Sequence, residues 1–325
     1  MRNLTKTLTV VAVVLGMTAT AAVAEEFNLA FTPPLKSHYG DGGKAFASTM
    51  ATLSGGKITI NLKPAGALGG ERDVIEGLQI GTVDLAISST GPIGNFVPNV
   101  YALDFPFLFK GYDQARSVLD GPVGQGLLGE FKTHGLVGLA WGENGFRHIT
   151  NSIHPINKPA DLKGLKLRTM ENKVHIAAFK AAGASPTPMS WTEVLTSLAQ
   201  GTIDGQENPV PVLTANNMWE IQKHVTLTGH VYSPAVVVMS KPRWDGLTKE
   251  QQGWFVAAGK AAAAATRATV TSNEKNGVAL LRKNGMKVIE NVDKASFAAA
   301  VQPAYAQYAK KMGVSKLIKQ IQDAQ

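Results

Sequence analysis

One internal repeat constrains the fold of this sequence more than any other feature. A segment that starts at Asp73 combines an amphipathic helix pattern, a Gly-Thr turn at 81–82 and an apolar strand pattern. The same pattern recurs without a gap 120 residues later, from Glu193 through a second Gly-Thr turn at 201–202. Short matches arise by chance, because glycine is common at helix ends. The extent of this match favours two related α/β lobes with a ligand-binding cleft between them.

Strand and helix patterns alternate along the rest of the chain. The segments FNLAFT, KITINLKP, VDLAIS, LVGLAW, LKLRTM and VVVMS have strand patterns, and helix patterns separate most of them. This alternation predicts an α/β fold with largely parallel sheets. Thr248 is the predicted N-cap of a helix that runs to about Asn284, with Gly277 as a weak point. At 1.5 Å per residue this helix is ~55 Å long, and we expect it to lie across both lobes.

The N-terminus has the three parts of a secretory signal peptide. Arg2 and Lys6 are followed by the apolar run LTVVAVVLGM and by Ala22-Val23-Ala24, a small-x-small cleavage site. A membrane anchor is the alternative, but the run is shorter than the roughly 20 residues that a membrane-spanning helix needs. We therefore predict a cleaved signal peptide over residues 1–24 and a periplasmic protein. The absence of cysteine is compatible with that compartment, because a core of this size needs no disulfides.

Charge and motif content narrow the class of function. Lys and Arg number 32 against 24 Asp and Glu, and this excess favours an anionic small molecule as partner. The basic residues are spread singly without interleaved aromatic residues, so nucleic acid is not expected. The seven histidines lack metal-ligand spacing, GxSxG and P-loop motifs are absent, and Glu71 beside Asp73 has the pattern of a helix cap. We therefore predict no metal, no cofactor and no enzymatic activity.

Two arginines are the strongest candidates for a binding site. Arg168 lies at the end of the predicted strand LKLRTM, and Arg147 follows LVGLAW at a strand end or crossover. An arginine fork matches a carboxylate bidentately, although pairing of each arginine with a neighbouring acid is the more common arrangement. Asn208 offers an amide to a ligand or serves only as a turn residue before proline. Trp191 either forms the floor of a pocket or fills the core.

Several long segments together resemble the solute receptors of TRAP transporters, the DctP family. They are GALGGERDVIEGLQIGTVDLA, YALDFPFLF, NGFRHITNSIHPINKPADLKGLKLRTMEN and GASPTPMSWTEVLTSLAQGTIDGQENP. The resemblance implies a two-lobed periplasmic binding protein of α/β class with hinge strands and a long helix spanning both lobes. Lobe I is then expected over residues 25–146 plus about 236–280, and lobe II over about 147–235 plus about 281–325. It also implies a monomer that closes on a small organic acid and delivers it to the membrane permease subunits of a sodium-coupled transporter.

The resemblance assigns roles to individual residues. Arg168 is expected to form the principal bidentate pair with the ligand carboxylate, with Arg147 and Asn208 on the same or a neighbouring oxygen. The other implied contacts are Trp191 against the ligand, Ser89 and Thr90 at its distal end, and, with weaker support, His38 and Tyr39. Sialic-acid-binding members carry an acidic residue where Ser89 aligns, which argues against that ligand.

Several questions stay open at the level of sequence, among them whether a metal ion accompanies the acid. The ligand can be a hydroxy acid, uronic acid, keto acid, aromatic acid or dicarboxylate. A receptor that signals to a membrane sensor kinase would have the same sequence features as one that serves transport.

Overall fold

The computed structural model describes residues 24–324, so the predicted signal peptide lies outside the described part of the chain except for Ala24. The strands within this range are β1 (Glu25–Ala30), β2 (Ile58–Lys63), β3 (Leu85–Ser89), β4 (Leu136–Asn151), β5 (Lys166–Thr169), β6 (Ser185–Pro188), β7 (Gly205–Pro209), β8 (His224–Thr226), β9 (Tyr232–Ser240) and β10 (Lys287–Ile289). The α-helices are α1 (His38–Ser54), α2 (Glu71–Ile80), α3 (Thr90–Ile93), α4 (Tyr112–Asp120), α5 (Pro122–Glu130), α6 (Lys173–Ala181), α7 (Trp191–Ala199), α8 (Val210–Ala215), α9 (Lys241–Asp245), α10 (Lys249–Lys283), α11 (Lys294–Lys311) and α12 (Ser315–Asp323). Short 3₁₀ segments lie at Pro98–Asp104, Phe131–His134, Pro159–Leu162 and Met218–Glu220. The predicted α/β class is confirmed, and no helix within residues 24–324 combines the length and apolar character that a membrane crossing requires.

The strands form two half-sheets that share their central strand. The order is β2-β1-β3-β9-β4-β7-β5-β6, and β8 joins β4 to β10. Residues 136–146 of β4 pair with β9, whereas residues 147–151 pair with β7 and β8. The outer strands pair in parallel, as predicted, but β9 and β4 run antiparallel to their neighbours. The sheet is therefore mixed, because β4 is continuous through both halves and each half adds its own parallel strands to it.

Strand β4 is longer than the sequence pattern indicates. The apolar pattern LVGLAW ends at Trp141, but the strand continues through the polar segment GENG to Asn151. This segment is buried because Glu143 accepts hydrogen bonds from Arg116 Nε (3.1 Å) and Tyr232 Oη (2.8 Å). Arg147 therefore lies inside a strand and not at a strand end, at the point where β4 passes from β9 to β7.

The long helix α10 is confirmed at both ends. Thr248 accepts a hydrogen bond from the backbone N–H of Gln251, whose side chain returns a bond to Thr248, and Asn284 ends the helix. Small buried side chains such as Ala258 and Ala262 allow its N-terminal half to pack against α1. Its C-terminal half packs against α8 and β10. The helix thus contacts elements of both half-sheets, as predicted.

Candidate functional site

A cavity lies where the two half-sheets meet. Residues at or just beyond the C-terminal ends of β1, β3, β5 and β7 line it, together with first-turn residues of α1, α2 and α7. This is the edge at which open α/β sheets bind ligands. The lining residues are Thr32, Pro33, Tyr39, Glu71, Ser89, Asn144, Arg168, Met170, Trp191, Asn208 and Val212.

The structure brings five of the eight sequence-predicted site residues into this lining. They are Arg168, Asn208, Trp191, Ser89 and Tyr39. The other three, Arg147, Thr90 and His38, are buried behind it and contact protein groups.

Arg168 is a buried cation without an acidic partner. The residue is 2% exposed, and its Nε and Nη2 donate to the carbonyl oxygen of Met189 at 3.0 and 2.7 Å. Its guanidinium carbon lies 5.8 Å from the centre of the Trp191 ring. Within residues 24–324, no carboxylate oxygen approaches this guanidinium within 4.0 Å, and Nη1 makes no hydrogen bond. Burial lowers the pKa of Arg168 to about 10, so the group keeps its positive charge at neutral pH.

Arg147 has the opposite environment. It is fully buried, and its Nε and Nη2 contact the Glu207 carboxylate at 2.5 and 2.8 Å. His230 Nε2 lies 3.0 Å from the same carboxylate. Burial acts to raise the pKa of Glu207, but the Arg147 charge and the His230 hydrogen bond outweigh it and hold that pKa well below its usual value. Arg147 is thus paired within the protein, and only its Nη1 lacks a partner among the described residues.

Glu71 is one of the lining residues that the sequence reasoning missed; the others are Thr32, Pro33, Asn144, Met170 and Val212. Its Oε1 accepts hydrogen bonds from Ser88 Oγ (3.0 Å), Ser89 N (2.8 Å) and Ser89 Oγ (2.9 Å). Its Oε2 makes no hydrogen bond within residues 24–324, although the residue lines the cavity. The sequence places Glu71 at a helix start, where an acid has an ordinary structural explanation. The available signal was its place in the chain. Glu71 begins the helix between β2 and β3, so it lies at the edge of the half-sheet where β2 ends.

Tyr39 presents a neutral donor to the cavity. Its hydroxyl is buried and has no partner in the described chain, and burial raises its pKa well above the usual value. Behind it, His38 Nε2 lies 2.9 Å from Asn144 Oδ1, and burial lowers the pKa of His38 to about 4. His38 is therefore neutral and orients Asn144, which itself lines the cavity.

Asn208 retains one amide N–H for a ligand, whereas Thr90 already donates its hydroxyl hydrogen within the protein. Asn208 Nδ2 donates to Gln206 Oε1 at 2.5 Å, so one amide N–H remains. Thr90 is fully buried and donates its hydroxyl hydrogen to Asp104 Oδ1 at 2.6 Å. Taken together, the cavity presents one unpaired cation, one carboxylate oxygen and neutral donors, an arrangement suited to an anion that also carries hydroxyl groups.

Comparison with known proteins identifies the family. The DctP model, described as bacterial extracellular solute-binding protein, family 7, matches residues 30–311. A solute-binding protein from Verminephrobacter eiseniae is 48% identical over 307 residues, covering 94% of this chain and 91% of the relative. Two solved TRAP periplasmic solute-binding proteins each cover 93% of this chain and 99% of their own. The one from Bordetella bronchispeptica, with density assigned to pantoate, has a TM-score of 0.90 and 51% identity. The one from Polaromonas, bound to D-erythronate, has a TM-score of 0.91 and 48% identity.

These matches agree with the fold of the described chain. The solved relatives are two-lobed, and the described chain superposes on them over nearly its whole length. The resemblance inferred from the sequence is confirmed: the chain belongs to the DctP family of bacterial extracellular solute-binding proteins, family 7.

Proposed function

We propose that this protein is a periplasmic receptor that binds a small hydroxy acid anion and that Arg168 forms a bidentate pair with the ligand carboxylate. The observation that carries the proposal is the buried guanidinium without an acid within 4.0 Å in the described chain. A buried charge is costly unless it is paired, so a protein keeps one unpaired where a ligand supplies the counter-charge.

The groups opposite Arg168 favour hydroxyl-bearing acids. Glu71 Oε2 is available to accept a hydrogen bond from a ligand hydroxyl and would repel a second carboxylate, whereas Tyr39 Oη is available to donate a hydrogen bond. Pantoate and D-erythronate, associated with the two solved relatives, are both short acids with hydroxyl groups.

Binding is proposed to occur by closure of two lobes. Lobe I comprises residues 25–146 plus about 236–280, and lobe II comprises about 147–235 plus about 281–325. The cavity supports this division because Glu71 and Ser89 contribute from one half-sheet and Arg168 and Asn208 from the other. Closure removes water from the arginine–carboxylate pair and strengthens it, and the ligand stabilises the closed form by its higher affinity for it.

A thermal-shift screen of the exported protein tests the proposal. Pantoate, erythronate and other hydroxy acids should raise stability by about 2.7 kcal/mol at a hundredfold excess over Kd. Erythritol, which has the hydroxyl groups of erythronate but no carboxylate, is the matched control and should have no effect. Equal shifts with erythritol and erythronate, or no shift with any hydroxy acid, would overturn the proposal.

We further propose delivery of the ligand to a sodium-coupled TRAP permease, and the match to the DctP family supports this proposal. Purified protein should begin at Glu25 after export. Proteoliposomes that contain the permease encoded beside this gene should accumulate the acid only with the receptor and an inward sodium gradient. Uptake that is independent of the receptor would contradict this role.

A further inference from the structure

The segment directly after Arg168 makes a set of contacts with the opposite half-sheet. Ser89 Oγ lies 3.3 Å from Met170 Sδ, and Asn95 Nδ2 donates to the carbonyl oxygen of Glu171 at 2.7 Å. Asn172 Nδ2 donates to the carbonyl oxygen of Gly91 at 3.2 Å. Three consecutive residues after β5 therefore contact the last residue of β3 or the segment that follows it.

A further contact between the two halves, which is fully buried, joins Asn172 to Asp104. Asn172 Nδ2 donates to Asp104 Oδ2 at 2.8 Å, and both residues are 0% exposed. Asp104 also accepts the hydroxyl hydrogen of Thr90, which belongs to the same half of the molecule. Asn172 Oδ1 accepts from the backbone N–H groups of Val174 and His175 and so caps α6. A single side chain thus fixes the start of α6 and contacts the carboxylate of the opposite half.

We infer that Asn172 and Asp104 are positioning residues for ligand binding, whose hydrogen bond holds the closed cleft together and sets the distance between Arg168 and Glu71. This inference rests on the proposed function. Opening the cleft breaks the bond and returns both groups to water, whereas closure buries them against each other. A carboxylate is costly to bury without hydrogen-bond donors, so this hydrogen bond stabilises a fully closed cleft relative to a partly closed one.

Asn172→Asp tests this pair while it keeps the helix cap, because aspartate caps helices as well as asparagine does. The substitution replaces the donor with a carboxylate oxygen beside Asp104. We expect calorimetry at pH 8 to show about tenfold or greater loss of affinity for the hydroxy acid that wild type binds. Affinity should recover as the pH falls to 6, because one proton shared between two carboxylates restores a hydrogen bond.

Other ionisable groups around Asp104 are common to all variants. Arg147, Glu207, His175 and Tyr101 lie near it, so wild type is titrated across the same pH range as the reference. Asn172→Asp combined with Asp104→Asn returns one donor and one carboxylate to the pair and should restore affinity at pH 8.

Asn99→Asp is the matched control. Asn99 Nδ2 donates to Glu130 Oε2 at 2.9 Å, so this substitution also places two carboxylates together, but on the exposed surface away from the cavity. It should leave affinity unchanged at every pH.

The chain has no cysteine, so closure can be measured directly with labels on Lys57→Cys and Lys180→Cys, which replace exposed residues. With saturating acid at pH 8, Asn172→Asp should retain an open population that wild type lacks.

The possible outcomes distinguish failure of the proposed function from failure of this inference alone. Absence of binding heat with any hydroxy acid in wild type overturns the proposed function and this inference with it. Binding by wild type and by Asn172→Asp with equal affinity at pH 8 overturns the inference alone. A loss that neither acidification nor the Asp104→Asn exchange reverses also overturns it, because that result indicates a general structural defect.

Discussion

Replacing each buried arginine by methionine should separate a ligand-binding charge from a structural one. Methionine keeps much of the volume of an arginine side chain but has no charge and no N–H donors. Arg168→Met should abolish binding of the acid and leave the stability of the unliganded protein close to that of wild type. Arg147→Met should destabilise the fold severely.

The expected stability of Arg168→Met follows from two opposing contributions. Burial lowers the pKa of Arg168 from 12.5 to about 10, which corresponds to about 3 kcal/mol of cost for the charged form. Removing the charge relieves this cost but leaves the carbonyl oxygen of Met189 without its two donors, a loss of about 1–3 kcal/mol. The two terms nearly cancel, so the unfolding free energy should change by no more than about 2 kcal/mol in either direction.

Arg147→Met has no such compensation. Among residues 24–324, it leaves the buried Glu207 carboxylate with only His230 as a charged or polar side-chain partner. Removal of one member of a buried ion pair typically costs about 3–5 kcal/mol. For ligand binding, loss of the Arg168 pair should cost about 2–5 kcal/mol, which corresponds to a rise in Kd of roughly 30-fold to several thousandfold.

Chemical denaturation of the unliganded proteins and calorimetry with the best-binding acid measure the two effects. Arg282→Met is the control, because Arg282 pairs with Glu290 on the exposed surface, where such a pair is worth about 1 kcal/mol or less. A loss of more than about 3 kcal/mol of stability in Arg168→Met would refute the view that its charge is unpaired in the ligand-free protein. Unchanged affinity in that variant would refute its role in binding.

Three further predictions follow from the site and the core. Glu71→Gln should weaken binding of hydroxy acids about tenfold and strengthen binding of succinate, because it removes the charge that repels a second carboxylate; competition calorimetry compares the two ligands. Burial lowers the pKa of His148 and of His175 to about 3, so the unfolded state takes up protons that the folded state does not. Their contribution to stability is present above pH 6.5 and is lost as the pH falls, by about 2 kcal/mol per histidine at pH 5. Denaturation at several pH values measures this loss, and His175→Gln should reduce it. Gly277→Ala should destabilise the protein by about 1–2 kcal/mol although alanine favours helices, because the added Cβ would lie 2.5 Å from a side chain of α8; Gly253→Ala in the same helix meets nothing within 4 Å and should be neutral or stabilising in the same denaturation assay.

Local sequence signals predicted the elements whose ends depend on local chemistry. Thr248 and Asn284 predicted both ends of α10 because capping depends on residues within one turn. Strand β4 was predicted too short, since its polar half is buried by partners such as Arg116 and Tyr232 that are distant in sequence. The position of Arg168 in the cavity was predictable because parallel strands end at the cleft.

The difference between the two arginines depends on strand register, which the sequence does not carry. In the antiparallel β4–β7 pair, Arg147 lies opposite Pro209 and Ile149 lies opposite Glu207. Arg147 and Glu207 are therefore diagonal neighbours on one face, within reach of a long side chain. Arg168 lies on the other side of β7, in a parallel pair opposite Gln206, where the register supplies an amide and not an acid. A pattern that contains two arginines on the strands that flank β7 is thus ambiguous until these strands are aligned with β7. The arginine that register leaves without an acid is the one we expect a ligand to pair with.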